Sequence, residues 1–169
     1  MTDETVDNGN EAAEADNARP VMPLVVNMQY VKDMSFENPN APRILTGASE
    51  QPKIDLQVDL QAQGLADNVA EVQMRLRAEA TIGEATAFIA ELVYAGVFTL
   101  PPLPPEQQRA VLLIEGPRLL FPFARQIIAE ITSQGGFPPL LLQPLDFVDL
   151  YRRQVLAQQA QMGEAQGTA

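Results

Sequence analysis

The chain has 169 residues, a net charge of −11, 46% apolar residues and neither Cys nor His. That length gives one domain with room for a real core, and the acidity argues against a nucleic-acid partner, which wants a basic face, while favouring basic protein partners. Without Cys there are no disulfides or thiol chemistry, and without His as well a structural zinc site and the commonest general base are missing.

Residues 1–20 hold six acids (Asp3, Glu4, Asp7, Glu11, Glu14, Asp16) against one base, Arg19, with Val6 the one large apolar residue after the initiator. Such a segment cannot offset its ordering entropy and is expected to be a disordered acidic tail. From Met28 the even positions Met28, Tyr30, Met34 and Phe36 are apolar, with Lys32 the exception, while Asn27, Gln29, Asp33, Ser35 and Glu37 are polar. Period two predicts a strand with one buried face, broken by the prolines of 38–42. Residues 53–63 alternate without a fault, Ile54, Leu56, Val58, Leu60 and Ala62 against Lys53, Asp55, Gln57, Asp59 and Gln61, and 64–68 is the turn. Residues 69–82 repeat the pattern, and the short connection at 83–85 predicts antiparallel pairing with a strand at 86–100. That strand is apolar on both faces, so it is either central and covered or part of an interface. Gly96 within it marks a bulge or a close backbone approach.

After the prolines of 101–105, residues 106–116 read as a short helix. Pro117 is expected to end it, since Pro lacks the helical donor. A main helix comes next at 119–133, with Leu120, Phe123, Ala124, Ile127, Ile128 and Ile131 on its apolar face and a Gly-Gly stop at 135–136. Prolines hold 137–144 extended. Asp146 is placed to cap a last helix over 147–161, with Phe147, Val148, Tyr151 and Val155 on one stripe, and 162–169 is expected to fray. Four strands followed by helices predict an α+β domain over 21–161, a four-stranded antiparallel sheet with helices packed on one face. No signal peptide or membrane span is indicated, and the expected location is the cytoplasm.

No catalytic constellation appears. Ser35, Ser49 and Ser133 lack a His partner, no glycine-rich phosphate loop is present, and acids that alternate along strands are the pattern of a solvated sheet face. What stands out is apolar excess. The second face of 86–100, the LLFPF segment and the FPPLLL arm all need cover, and exposed apolar surface of that kind meets other proteins, ligands or further copies of the chain.

Four segments, KDMSFENPNAP (32–42), GEATAF (83–88), PRLLFPFARQII (117–128) and GGFPPLLLQPLDF (135–147), closely resemble the protein-export chaperone SecB family, in the right order across residues 24–156. The resemblance implies a cytoplasmic homotetramer, a dimer of dimers, that is not an enzyme and needs no cofactor, metal or membrane insertion. Such a protein binds unfolded secretory precursor proteins without ATP, keeps them competent for translocation and delivers them to the SecA ATPase. Family members dock the basic tail of SecA on an acidic sheet surface; the matching positions are Asp33, Glu37, Ile89 and Glu91. Their clients lie in long apolar grooves, for which the candidates are Ile54, Leu56, Val58, Phe137, Leu140, Leu142, Tyr151 and Val155. The tetramer implied would pack helices such as 119–133 across dimers and strands within a dimer. Gly116 stands where family members carry Cys, and the C-terminal tail is short and unpatterned, so no second SecA contact is carried over to it. The alternatives are a SecB-like chaperone dedicated to one partner of a toxin–antitoxin pair, an α+β small-ligand-binding domain, and an oligomerisation module without clients.

Overall fold

In the computed structural model, residues 24–47 and 50–166 are described, with side chains to 160; the expected acidic tail lies outside the described residues. The elements are β1 (Val25–Glu37), α1 (Arg43–Gly47), β2 (Lys53–Ala66), β3 (Val69–Ile82), β4 (Ala85–Thr99), α2 (Pro105–Gln134) and α3 (Phe147–Gln166). The strands form one four-stranded sheet in the order β1-β4-β3-β2, antiparallel throughout. Two-residue turns close both hairpins. Asn68 (φ 58°) stands in the β2–β3 turn and Gly83 (φ 58°) in the β3–β4 turn, residue types that tolerate the left-handed region.

Alternation decides which face is the core. Even-numbered side chains of β3 and β4, among them Val72, Met74, Leu76, Leu92 and Phe98, are fully buried together with Leu120 and Ile128 of α2. The helix comes close because two glycines allow it. A Cβ on Gly96 would sit 2.9 Å from Leu120 Cδ2, and one on Gly116 would sit 3.1 Å from Val72. The β3–β4 and β1–β4 registers run unbroken through Gly96, so it marks a close approach and not a bulge.

The break expected at Pro117 does not occur. Residues 105–134 form one helix with Pro117 and Pro122 inside it, about 45 Å long at the usual rise per residue. Two features carry it through. The residue before Pro117 is Gly116, which has no Cβ to clash with the ring, and Pro117 is itself fully buried, so the interrupted turn is held from outside. Pro105 occupies the first turn, where its missing N–H costs nothing. At the other end the N–H of Gly135 donates to the carbonyl of Ile131 at 3.0 Å and that of Gly136 to the carbonyl of Ser133 at 3.1 Å, and Gly136 takes the positive φ of 89°.

The arm beyond it, 137–146, carries no regular structure. Thr132, fully buried in the last turn of α2, ties the arm back. Its hydroxyl donates to the carbonyls of Ile128 (2.9 Å) or Ala129 (3.0 Å) and accepts the N–H of Leu140 at 2.9 Å. Asp146 caps α3 as its position predicts, Oδ1 accepting from the N–H groups of Val148 and Asp149. α3 then continues to Gln166, into the segment expected to fray. The five-residue α1 was not foreseen; it is too short to carry a period.

β1 corrects a second expectation. Its pairing with β4 skips one residue at Asn27 and another at Lys32. Each extra residue is a β-bulge, and each reverses the parity of the strand residues after it. Val31 therefore lies opposite Tyr94 on the helix side, Tyr30 opposite Ala95 on the outer side, and Asp33 opposite Val93 on the outer side again. Met28 and Tyr30 do not share a face with Met34 and Phe36, and Lys32, the apparent exception to the alternation, is the bulge itself.

Candidate functional site

The outer face of the sheet is built in rows, because paired residues of an antiparallel ladder project to the same side. One row reads Glu37–Ile89–Glu79–Asp55 from β1 to β2, the next Ser35–Glu91–Arg77–Gln57, and the third Asp33–Val93–Arg75–Asp59. The four residues expected to dock a basic partner, Asp33, Glu37, Ile89 and Glu91, thus come together on one face. Ile89 is half-buried between Glu37 and Glu79, and Glu91 lies one row along, about 7 Å away at the rise of a strand. Sequence reasoning did not assign Glu79 or Arg77 to this surface. The signal was present in the alternation of 69–82, but only the register shows which outward residues flank Ile89. Arg77 spans two of the acids, Nη1 2.7 Å from Glu79 Oε2 and Nε 2.9 Å from Glu91 Oε1.

Further along the same face Glu71 is buried, at 5% exposure. It accepts from the Tyr30 hydroxyl, from Lys32 Nζ at 2.9 and 3.0 Å, and from Gln73 Nε2 at 2.6 Å. Burial alone would push the Glu71 carboxyl up. The hydrogen bonds from Tyr30, Lys32 and Gln73, with the charge of Lys32, outweigh it and hold the carboxyl below the usual carboxylate range. The Tyr30 hydroxyl is raised, first by that same bond. Ala95 of β4, between them in the ladder, is small enough to let Tyr30 and Lys32 reach across from β1 to β3.

On the opposite face α2 packs on β4 and β3 and covers the two outer strands poorly. Along β2 the core-side row Ile54, Leu56 and Val58 is half-buried and ends at buried Leu60. At one end, Ile54 pairs with Ala80 and Ala80 with Phe88, on whose ring Phe137 packs at 5.0 Å between centroids. At the other, the Leu60 carbonyl accepts Gln154 Nε2 of α3 at 3.1 Å, beside half-buried Tyr151 and Val155. There the row opens into a cleft of about 540 Å³ with Leu60, Ala70, Leu112 and Leu113 in its wall and Arg109 and Gln158 bonded across it at 2.9 Å. Of the eight groove candidates, Leu142 is core and not surface, at 4% exposure; its neighbour Leu141 is the exposed residue of the arm, at 59%. Proline-rich backbone has no period, so the sequence could not tell which leucine of three in a row turns inward. Along β1, Val31 and Met34 on the helix side are exposed, as are Leu119 and Phe123 on α2, Phe123 stacking on Tyr94. Among the described residues no helix is long and apolar enough to cross a membrane, and no group of three or more acids stands ready to hold a metal ion.

A helix-backed sheet that puts a charged face on one side and half-covered apolar strips on the other defines a binding protein, of the class that holds other chains. The chain matches the family model "Preprotein translocase subunit SecB" over residues 16–159. A protein-export protein SecB of Rhodospirillum centenum is 67% identical over 157 residues, covering 92% of this chain and 94% of its own length. That of Granulibacter bethesdensis is 50% identical over 174 residues, covering 98% and 100%. Among solved structures, the SecB-like chaperone of Mycobacterium tuberculosis, bound to a peptide from the HigA1 antitoxin, superposes with a TM-score of 0.61 at 16% identity over 72% of this chain and 90% of that one. That likeness is one of fold. The chain belongs to the SecB family of protein-export chaperones.

Proposed function

We propose that this protein binds unfolded secretory precursors in the cytoplasm without ATP, keeps them competent for translocation and hands them to SecA. Membership of a family of chaperones, and not any missing group, is the ground for reading it as a non-enzyme. The alternative of a chaperone dedicated to one partner is not favoured, since relatives 67% and 50% identical are protein-export proteins.

The observation that carries the SecA assignment is the shared outer face. Glu37 flanks half-buried Ile89, with Glu91 one row and Asp33 two rows along the same face, giving a basic segment charge to approach and an apolar anchor to settle on. Clients would take the other side, along Ile54, Leu56 and Val58 on β2 between Phe137 and Leu140 of the arm and Tyr151 and Val155 of α3. Leu142 serves there from beneath, as core. An extended client needs only scattered apolar pockets, which suits sequence-tolerant capture. The exposed apolar residues of β1 and α2, Val31, Met34, Leu119 and Phe123, are the surface we assign to assembly into a tetramer, which then offers several weak sites to one long client.

Two measurements test this. Purified protein added to an unfolded precursor should slow its refolding and aggregation; no slowing would remove the chaperone reading. Glu91→Lys should abolish binding of SecA while leaving client protection in place. SecA binding that survives Glu91→Lys would remove the docking assignment alone.

A further inference from the structure

The outer face is less acidic than its carboxylates suggest, because one of the docking acids is already occupied. Arg77 pairs in register with Glu91 on β4 and Gln57 on β2. Its guanidinium lies between Glu79 and Glu91, bonded to both at 2.7 and 2.9 Å, and the Arg77 side chain is 30% exposed. It lies along the face and does not extend into solvent. Beside it a hollow of about 320 Å³ opens, lined by Gln57, Asp59, Arg75, Arg77 and Glu91.

We propose that Arg77 is a built-in competitor for the basic partner, a residue that sets how strongly and how selectively this face takes cationic segments. The inference rests on the docking reading above. A lysine or arginine arriving at Glu91 meets a carboxylate whose charge is already paired. Arg77 Nε holds Glu91 Oε1, so an incoming cation either takes Oε2 against the neighbouring Arg77 charge or replaces Arg77 at Oε1. Arg77 stays anchored by Glu79 when it is replaced, and the hollow gives its side chain room on the Asp59 side. Half-exposed ion pairs open at little cost, so Arg77 tunes the face and does not close it.

The consequence is selectivity. A single surface lysine gains little, since the Arg77 charge offsets much of the pull of Glu91. A segment that brings several cations with an apolar residue replaces Arg77 once and then gains Asp33, Glu37 and Ile89 in addition. Discrimination of this sort, by an unfavourable first exchange that only the right partner repays, is specificity by a repulsive element. It also makes Arg77 one cation the partner must tolerate. At about 7 Å in a water-like dielectric, removing it strengthens attraction by roughly threefold in affinity before screening by salt.

The test is calorimetric titration of SecA into the full-length protein at about 50 mM and about 300 mM salt, ionic strengths between which exposed charges become largely screened. Arg77→Gln should bind roughly twofold more tightly than the parent at the lower salt, where screening already trims the gain, and the gain should shrink further at the higher. Arg77→Lys, which keeps the charge but loses the rigid fork that spans both carboxylates, should fall between the parent and the Gln variant. The double variant Arg77→Gln/Glu91→Gln should lose the gain. A residue that merely supported the strand would weaken binding when changed, so the sign separates the two roles. Thermal melting checks that each variant is folded, and Arg77→Lys decides the matter if the Gln variant melts early. Equal or weaker binding by folded Arg77→Gln and Arg77→Lys, with Glu91→Lys abolishing binding, overturns the proposal and leaves the docking reading standing. SecA binding unchanged by Glu91→Lys overturns both.

Discussion

Gly96→Ala should destabilise this protein, although alanine is the better strand residue. The new Cβ would stand 2.9 Å from Leu120 Cδ2 and 2.9 Å from Phe98 Cε2, where carbon atoms rest at about 3.5–4.0 Å. Each neighbour must therefore retreat by roughly 0.6–1 Å. Neither has space, since Leu120 and Phe98 are both 0% exposed. Overpacking of this kind costs about 1–3 kcal/mol, and the stiffer unfolded chain returns about 0.4–1 kcal/mol. The net loss is about 1–2 kcal/mol, which for a protein of this size lowers Tm by about 3–6 °C. The matched control is Gly64→Ala in β2, where an added Cβ meets nothing within 4 Å. There only the unfolded-state term acts, and Tm should hold or rise by about 1–3 °C. The assay is thermal denaturation followed by circular dichroism, with all variants at one protein concentration because assembly couples to stability. If Gly96→Ala melts at or above the parent, the close seating of α2 on β4 is not what holds the sheet and helix together.

The geometry sets three further outcomes. Thr132→Val keeps the shape of the side chain but leaves the Leu140 N–H without its acceptor; it should cost about 1–2 kcal/mol and speed amide exchange at Leu140 well ahead of exchange in β3 and β4. Glu71→Gln should cost about 1–2 kcal/mol at neutral pH, discounted for the 42% exposure of Lys32. Because the folded Glu71 carboxyl titrates below its ordinary value, its contribution is complete above that value and is lost as pH falls through the lower one; denaturation midpoints of parent and variant should converge on acidification, and a gap that widens would refute the assignment. Phe123→Asp, at a site 49% exposed on α2, should leave the monomer fold intact and shift solution mass below that of the proposed tetramer, as measured by light scattering.

Most of the sheet was legible because its order is local. In β2, β3 and β4 each residue's face follows from its neighbour's, and a two-residue turn fixes the pairing of β3 with β4. The two apolar faces of β4 left a central strand or an interface strand, and the sheet order makes it central. Reading failed where a partner distant in sequence decides. At the bulge Lys32 turns its ammonium group to Glu71, 39 residues on, and a period-two template has no term for such a contact. Pro117 is a local helix breaker overruled by its burial against the sheet and by Gly116, while Pro122 lies exposed on the same unbroken helix. The four residues proposed to dock SecA were found through family motifs. Alternation could say only that Asp33 and Glu37 share a side, as do Ile89 and Glu91; it took the register of β1 with β4 to set Glu37 beside Ile89. Arg77 stayed invisible as a participant because its significance lies in two hydrogen bonds and not in its spacing.

The alternation that sorts β2, β3 and β4 into an outer charged side and an inner apolar side has a consequence for traffic. Two partners laid on opposite sides of one backbone layer do not collide. If, as proposed, SecA docks on the rows around Ile89 and a client lies along Ile54, Leu56 and Val58, both can be held at once and transfer need not begin with release. The chaperone can then be recruited with its cargo still aboard, and the order of events passes from a choice between exclusive complexes to the relative lifetimes of two contacts in a ternary one.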